Sequence, residues 1–244
     1  MKTTIAALAL MLSACGGGSG QMNQSGAPVA QAAPQPVATP QAPPAAAPIT
    51  VIYVGTSAAD TLAAGDTCCS DVIEAYKETG FVVEAIDAPC HGADTPMCEA
   101  SGLEGWALEI KAGRREWLER FCQRLDAVID GRSVFLAGTS RGAYAILACN
   151  VGAPVLGIIG NAALIDLYQL TEFADVPRDA TYSLLPQRVP TMIRIARNDE
   201  RVGTQPAIDY AMQSGAELVV LDIDAHIAPE DGTGIEFIRR HLSF

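Results

Sequence analysis

The chain has 244 residues, of which 49% are hydrophobic and 18% charged, enough for one large core and hardly two. Its formal charge is −12 with the histidines neutral. That balance argues against a nucleic-acid partner, which needs clustered Lys and Arg, and no basic cluster or interleaved aromatic run is present.

The first element is a leader. Lys2 precedes the apolar run of residues 5–12, which is too short to span a bilayer and fits a secretory h-region. The next residues, Leu12-Ser13-Ala14-Cys15, resemble the lipobox of bacterial lipoproteins. The resemblance implies cleavage before Cys15 and lipidation of Cys15, so that acyl chains hold the protein at the cell envelope. Gly16 carries no signal for inner-membrane retention, so the outer membrane is expected, facing the periplasm or the cell surface. An ordinary signal peptide with a coincidental cysteine is the alternative. Residues 16–48 are rich first in Gly and Ser, then in Ala, Pro and Gln, with no charged side chain. Such a segment cannot build a core, and its prolines keep it extended. The expected division is a signal peptide over 1–14, an anchor and tether over 15–48, and a folded domain over 49–244.

The domain opens on a β-rich run at 49–54, ending at Gly55. Ser70 is placed as the cap of a helix over 71–79, with Gly80 as its stop. A strand over 81–86 runs into the turn-rich Asp87-Ala-Pro-Cys-His-Gly-Ala-Asp94. Trp106, Ile110, Trp117, Phe121, Leu125 and Val128 recur at mostly helical spacing, so 103–129 reads as an amphipathic helix, broken near Gly113. Strands follow at 134–137, 155–159, 191–195 and 218–223, and helices at 143–149, 205–212 and 234–242. The strands are short, β-branched and often apolar on both sides. That pattern predicts a mostly parallel sheet with helices on both faces, a three-layer α/β domain.

Six cysteines follow Cys15: Cys68, Cys69, Cys90, Cys98, Cys122 and Cys149. Export permits disulfides, and an even number leaves the pairing open. Cys90 and Cys98 bracket a short loop and make the best pair. Cys68 and Cys69 are adjacent and need separate partners or a vicinal bond. Cys122 and Cys149 fall in helices and read as buried thiols. A metal site is the weaker reading, since there is no CxxC pair and the three histidines are far apart.

Chemistry concentrates at Gly138-Thr-Ser-Arg-Gly142, a G-x-S-x-G pentapeptide between a strand and a helix. A strand turning abruptly into a helix presses its serine into a strained conformation, and the glycines leave room for the close backbone. Ser140 is therefore expected as a nucleophile, facing the positive end of the following helix. The Arg141 N–H is one expected oxyanion donor. The Thr56 N–H, in Gly55-Thr-Ser57, is the other, with a plain tight turn as the alternative.

A serine needs a base, and the base needs an orienting carboxylate. His226 follows the 218–223 strand and reaches the same sheet edge, so it is the expected base. His91 would line the mouth of the site, and His241 would sit on the surface of the last helix. Asp199, in Ala196-Arg-Asn-Asp-Glu-Arg-Val202, is the expected acid. Glu200 and Asp166 are its rivals, while Asp222 and Asp224 lie too close to His226 in sequence. A solvated polar turn is the bland alternative for Asp199, since Asn-Asp pairs favour turns.

These residues together resemble the α/β-hydrolase superfamily over residues 49–244, through the order Ser140, Asp199, His226. More narrowly, Gly138-Thr-Ser-Arg-Gly142 followed by Leu164-Ile-Asp-Leu-Tyr-Gln-Leu-Thr-Glu-Phe173 looks like the dienelactone-hydrolase and prolyl-oligopeptidase-like branches. There the acid sits in a turn after the penultimate strand, as Arg197-Asn-Asp-Glu-Arg-Val202 does. Asp87-Ala-Pro-Cys-His-Gly92 resembles the superfamily's Pro-Gly-His-Gly turn with Cys90 in place of glycine, which suggests a bridge from Cys90 to Cys98. The superfamily's His-Gly after the first strand appears as Val54-Gly55.

The resemblance implies a serine esterase working through an acyl-enzyme on a small-molecule or polymer-attached ester, with no cofactor and no metal. A small peptidase or amidase is one rival. A noncatalytic binding lipoprotein that reuses the fold is the other. Only about 29 residues separate Gly160 from Val189, so no large cap is expected. A small lid over 161–185 is the most that fits, with Tyr168, Leu170, Phe173 and Tyr182 either lining it or packing into the core.

Overall fold

The computed structural model describes residues 47–63, 69–180, 184 and 186–242. The leader, Cys15, the tether up to residue 46, Cys68 and Tyr182 lie outside the described residues.

Six strands form one sheet: β1 (Thr50–Val54), β2 (Val82–Ile86), β3 (Val134–Thr139), β4 (Val155–Asn161), β5 (Thr191–Ala196) and β6 (Glu217–Leu221). Their order is β2-β1-β3-β4-β5-β6, and every neighbouring pair is parallel. All carboxyl ends therefore share one edge, and loops after different strands converge there. The helices are α1 (Ala58–Leu62), α2 (Ser70–Glu78), α3 (Gly102–Lys111), α4 (Glu116–Ile129), α5 (Arg141–Ala148), α6 (Thr204–Ser214) and α7 (Thr233–Arg240).

Successive strand residues point to opposite faces, and both faces are covered. Ile52, Val54, Leu136 and Ile193 pack with residues of α3, α4, α5 and α6. Val51, Tyr53, Phe135, Ile159 and Met192 pack with α2 and α7. This is why most strand positions are apolar, with Glu84, Arg194 and Glu217 among the exceptions.

Several details differ from the sequence reading. Ser70 is the first residue of α2 rather than its cap. Cys69 holds that place, and its carbonyl accepts the Ile73 N–H at 3.0 Å. α1 has no counterpart in the reading, because five residues are too few to show a period; Ser57 caps it by accepting from the Asp60 N–H. Cys122 and Cys149 are not buried thiols but a disulfide. α4 and α5 lie side by side on one sheet face, and Cys149 stands where α5 ends. Cys90 and Cys98 are also joined. The expected break near Gly113 falls between α3 and α4, with Gly113 at φ +69°.

Residues 162–180 make three short 3-10 turns. Leu167, Leu170 and Phe173 are buried in the main core, so this stretch packs onto the domain. Tyr168 is partly exposed and donates its hydroxyl to the Pro177 carbonyl at 2.7 Å. No helix among the described residues is long and apolar enough to cross a membrane.

Candidate active site

β3 ends at Thr139 and α5 begins at Arg141, so Ser140 alone makes the turn, at φ +53° and ψ −114°. A non-glycine residue in that region is strained, and strain of this kind persists only where surroundings impose it. The glycines are part of those surroundings. A Cβ on Gly142 would lie 1.9 Å from the Val54 carbonyl oxygen, and one on Gly138 2.7 Å from the Ala143 nitrogen. Without glycine at both places, α5 could not start so close to β1 and β3. The Ser140 N–H donates to the Asn161 carbonyl at 2.9 Å, and its own carbonyl accepts from the Tyr144 and Leu164 N–H groups.

The structure brings Ser140, His226 and Asp199 together. His226 Nε2 lies 3.1 Å from Ser140 Oγ. His226 Nδ1 lies 2.9 Å from Asp199 Oδ2 and 3.1 Å from Oδ1. A carboxylate facing Nδ1 places the ring proton there and leaves Nε2 as the acceptor facing the serine. Asp199 is 2% exposed, and its Oδ1 also accepts the Arg201 and Val202 N–H groups at 3.1 Å. Burial pushes the Asp199 carboxyl up, but the hydrogen bonds from His226 and from these backbone donors outweigh it and hold it below its ordinary value. Its turn is fastened by Thr204, whose hydroxyl accepts the Asp199 N–H and donates to the Ala196 carbonyl.

The rivals lie elsewhere. Asp166 caps a 3-10 turn through the Tyr168 N–H at 3.0 Å. Glu200 is exposed. Asp222 and Asp224 both pair with Arg197. His241 ends α7, where its ring packs edge-on against Phe237 at 4.6 Å.

A cavity of about 270 Å³ opens over Ser140, lined by Gly55, Thr56, Ser140, Arg141, Arg201 and His226 among others. Arg141 is the first residue of α5, so its N–H belongs to the turn whose donors point out of the helix. Thr56 lines the cavity too, but its N–H donates to Thr61 Oγ1 at 3.2 Å. The unanticipated α1 causes this by bringing Thr61 over Gly55. To serve an oxyanion, Thr56 would have to exchange that partner. Cys90, Asp94 and Cys98 also cluster, but the two sulfurs are bonded to each other and Asp94 pairs with Arg124 at 2.5 Å. No thiolate is left there for a metal.

No protein-family model matches the chain, and no curated relative matches it. Solved structures do. A Thermus thermophilus protein is similar at 18% identity and a TM-score of 0.57, over 82% of this chain and 92% of that one. The Pyrococcus furiosus esterase Pf2001 is similar at 18% identity and a TM-score of 0.53, over 79% and 83% of the two chains. An α/β-hydrolase enzyme from the metagenome of lagoon sediments at Mar Chica, Morocco, is similar at 17% identity and a TM-score of 0.53, over 80% and 90%. The chain has the α/β-hydrolase fold.

Within this hydrolase fold, the sequence reading missed what holds the histidine loop. Arg194, on β5, is wholly buried. Its guanidinium donates to the carbonyls of Pro229 at 2.5 Å and Ala228 at 3.4 Å, and to Asp231 Oδ1 at 2.8 Å. It also meets Glu230 Oε2 at 3.3 Å, Thr233 Oγ1 at 3.0 Å and Asn161 Oδ1 at 2.8 Å. Asn161 donates to the Tyr53 hydroxyl at 3.3 Å, which lies 2.6 Å from Thr139 Oγ1. Burial pushes the Tyr53 phenol well up, so it stays a protonated donor. One polar chain thus runs under the sheet edge from the residue before Ser140 to the segment after His226. The signal was available in Thr191-Met-Ile-Arg-Ile195, where a charge inside an apolar buried strand demands partners.

Proposed function

We propose that the protein is a serine hydrolase that cleaves carboxylic esters through Ser140, His226 and Asp199, held at the bacterial cell envelope by lipid on Cys15. The observation that carries this reading is the continuous contact from Asp199 to His226 to Ser140 on a strained strand-to-helix turn. The fold shared with an esterase and other hydrolases supports it. The contact also favours catalysis over a binding protein that merely reuses the fold.

His226 Nε2 takes the Ser140 proton as Oγ attacks the carbonyl carbon. Asp199 keeps the ring in the right tautomer and stabilises the imidazolium. The Arg141 N–H holds the developing oxyanion, and the Thr56 N–H joins it by leaving Thr61. The imidazolium then protonates the alcohol oxygen as the ester C–O bond breaks, leaving an acyl-serine. Water, deprotonated by His226, attacks that acyl group, and Oγ leaves with the proton. The product is a carboxylic acid, and no cofactor enters the sequence.

The test is a fluorophosphonate probe on the purified protein, with intact mass and peptide mapping. One adduct per chain on Ser140 is expected, absent in Ser140→Ala and slowed in His226→Ala. Ester turnover should fall about ten-thousand-fold or more in either variant. A folded protein that takes no adduct would remove the catalytic reading. Amide turnover outpacing ester turnover would replace the esterase with a peptidase.

A further inference from the structure

We propose that the cleft beside Ser140, walled by Asp60, His91, Ser101, Glu104, Arg141 and Glu172, is the subsite for the alcohol half of the ester, and that this alcohol is a hydroxyl-rich glycan without anionic groups. The assignment rests on the serine-hydrolase reading and names its substrate class.

The cleft holds about 470 Å³, within the usual range of small-molecule sites of roughly 300–1,000 Å³. Arg141 lines both this cleft and the cavity over Ser140, so the two lie one side chain apart. The walls are hydroxyls, carboxylates, an imidazole and a guanidinium. Leu103 is the large aliphatic side chain among them, and it is 5% exposed. An aliphatic alcohol would desolvate these groups and bond to none of them. Asp60, Glu104 and Glu172 outnumber Arg141, whose guanidinium is already bonded to His91, so an anionic alcohol is repelled. Sugar hydroxyls donate and accept at once and can satisfy both kinds of wall.

The wall is also fixed before any ligand arrives. His91 Nδ1 donates to the Pro89 carbonyl at 2.8 Å, and Nε2 accepts from Arg141 Nη1 at 3.0 Å. Burial, against the opposing Pro89 hydrogen bond, lowers the His91 pKa and keeps the ring a neutral acceptor. Pro89 is pinned from the other side by Trp106 Nε1 at 2.7 Å. The Cys90–Cys98 disulfide closes the loop, and the Gly102 N–H donates to the Cys90 carbonyl at 2.8 Å. Asp94, 2% exposed, accepts the Cys90 N–H and pairs with Arg124. A wall built this rigidly loses little entropy on binding. Among the described residues, no large aliphatic side chain lines the 270 Å³ cavity over Ser140, which suits a short acyl half.

The deciding experiment compares kcat/KM of the full-length protein on singly acetylated xylose, xylobiose and xylotriose with p-nitrophenyl acetate, p-nitrophenyl octanoate and a tripeptide methyl ester. A rise of about ten-fold or more from the acetylated mono- to trisaccharide is expected, the equivalent of one or two added hydrogen bonds. Glu104→Lys, at an exposed position, should lower the ratio of acetylated xylotriose to p-nitrophenyl acetate turnover by a similar factor. Acetyl turnover that ignores sugar number overturns the subsite, and so does a preference for the octanoate or the peptide ester. Failure of the hydrolase reading has another signature: no turnover of p-nitrophenyl acetate and no fluorophosphonate adduct, which takes the subsite down with it.

Discussion

His226 rides on a loop fastened at both ends by an arginine, and the two fastenings are built differently. Ahead of the histidine, Arg197 pairs with Asp222 and with Asp224, in side chains that are 55%, 85% and 58% exposed. Behind it, Arg194 grips residues 228–231 with no exposed surface of its own, and Glu230 beside it is 2% exposed. Both arginines come from the β5 side of the sheet edge, and both meet carboxylates. Their physical worth differs because water screens all of the first, whereas in the second Arg194 and Glu230 are cut off from it and only Asp231, 41% exposed, reaches solvent. The exposed end can fluctuate at little cost. The buried end must be complete or the charge left behind is stranded.

The largest effect should therefore come from Arg194→Met. It leaves Glu230 without its cation in a buried site, a loss of about 3–5 kcal/mol of stability. Urea unfolding followed by circular dichroism would read it, with Arg194→Met/Glu230→Gln beside it. The double variant should be more stable than the first single one, because the stranded charge has gone. A loss below about 1 kcal/mol in Arg194→Met would mean that the buried grip is not what holds the loop. Glu230→Gln alone comes next. It leaves Arg194 its other acceptors, so about 1–3 kcal/mol is expected by the same measurement.

A third effect is confined to acid and concerns what the loop carries. Asp199 has its pKa lowered by folding, so its contribution is present above the unfolded aspartate value of about 3.9 and is lost as pH falls through the lower folded value. Melting temperature plotted against pH should fall less steeply below about pH 4 in Asp199→Asn than in the parent. Parallel curves would show that Asp199 gains nothing from its partners on folding. At neutral pH the same variant should lose about ten-thousand-fold in turnover, since an amide can hold the ring in the wrong tautomer.

The two ends of the loop were also unequally legible in the sequence. The candidate site residues announce themselves by local pattern: glycines around Ser140, a histidine just past an apolar strand, an acid just past another. The parallel sheet reads directly from strands that are apolar at most successive positions, since double-sided burial makes that pattern. Arg194 was harder, because a charge in an apolar strand says that partners exist but not where, and its partners lie up to 39 residues away. The Cys122–Cys149 bridge was hidden for a similar reason. Two cysteines in two helices look alike whether or not those helices touch, and their contact is decided by tertiary packing across 27 residues. α1 escaped because five residues carry no period, and with it went the Thr61 contact that occupies the Thr56 N–H. Local chemistry was visible; what fastens it was not.

The smallest effect tests the comparison most sharply. Arg197 makes as many carboxylate contacts as an ion-pair tally would wish, two to Asp224 and one to Asp222. Contact number alone would rank it beside Arg194. Screening predicts otherwise: exposed pairs contribute little, and less still at high salt. Arg197→Ala should shift the urea midpoint only slightly, and the difference from the parent should shrink further in about 1 M salt, where the screening length is near 3 Å. Turnover should change little, because the Arg194 end still holds the loop on which His226 sits. A loss approaching that of Arg194→Met, unmoved by salt, would show that the segment ahead of the histidine is held as firmly as the one behind it. Burial would then not be what separates the two ends.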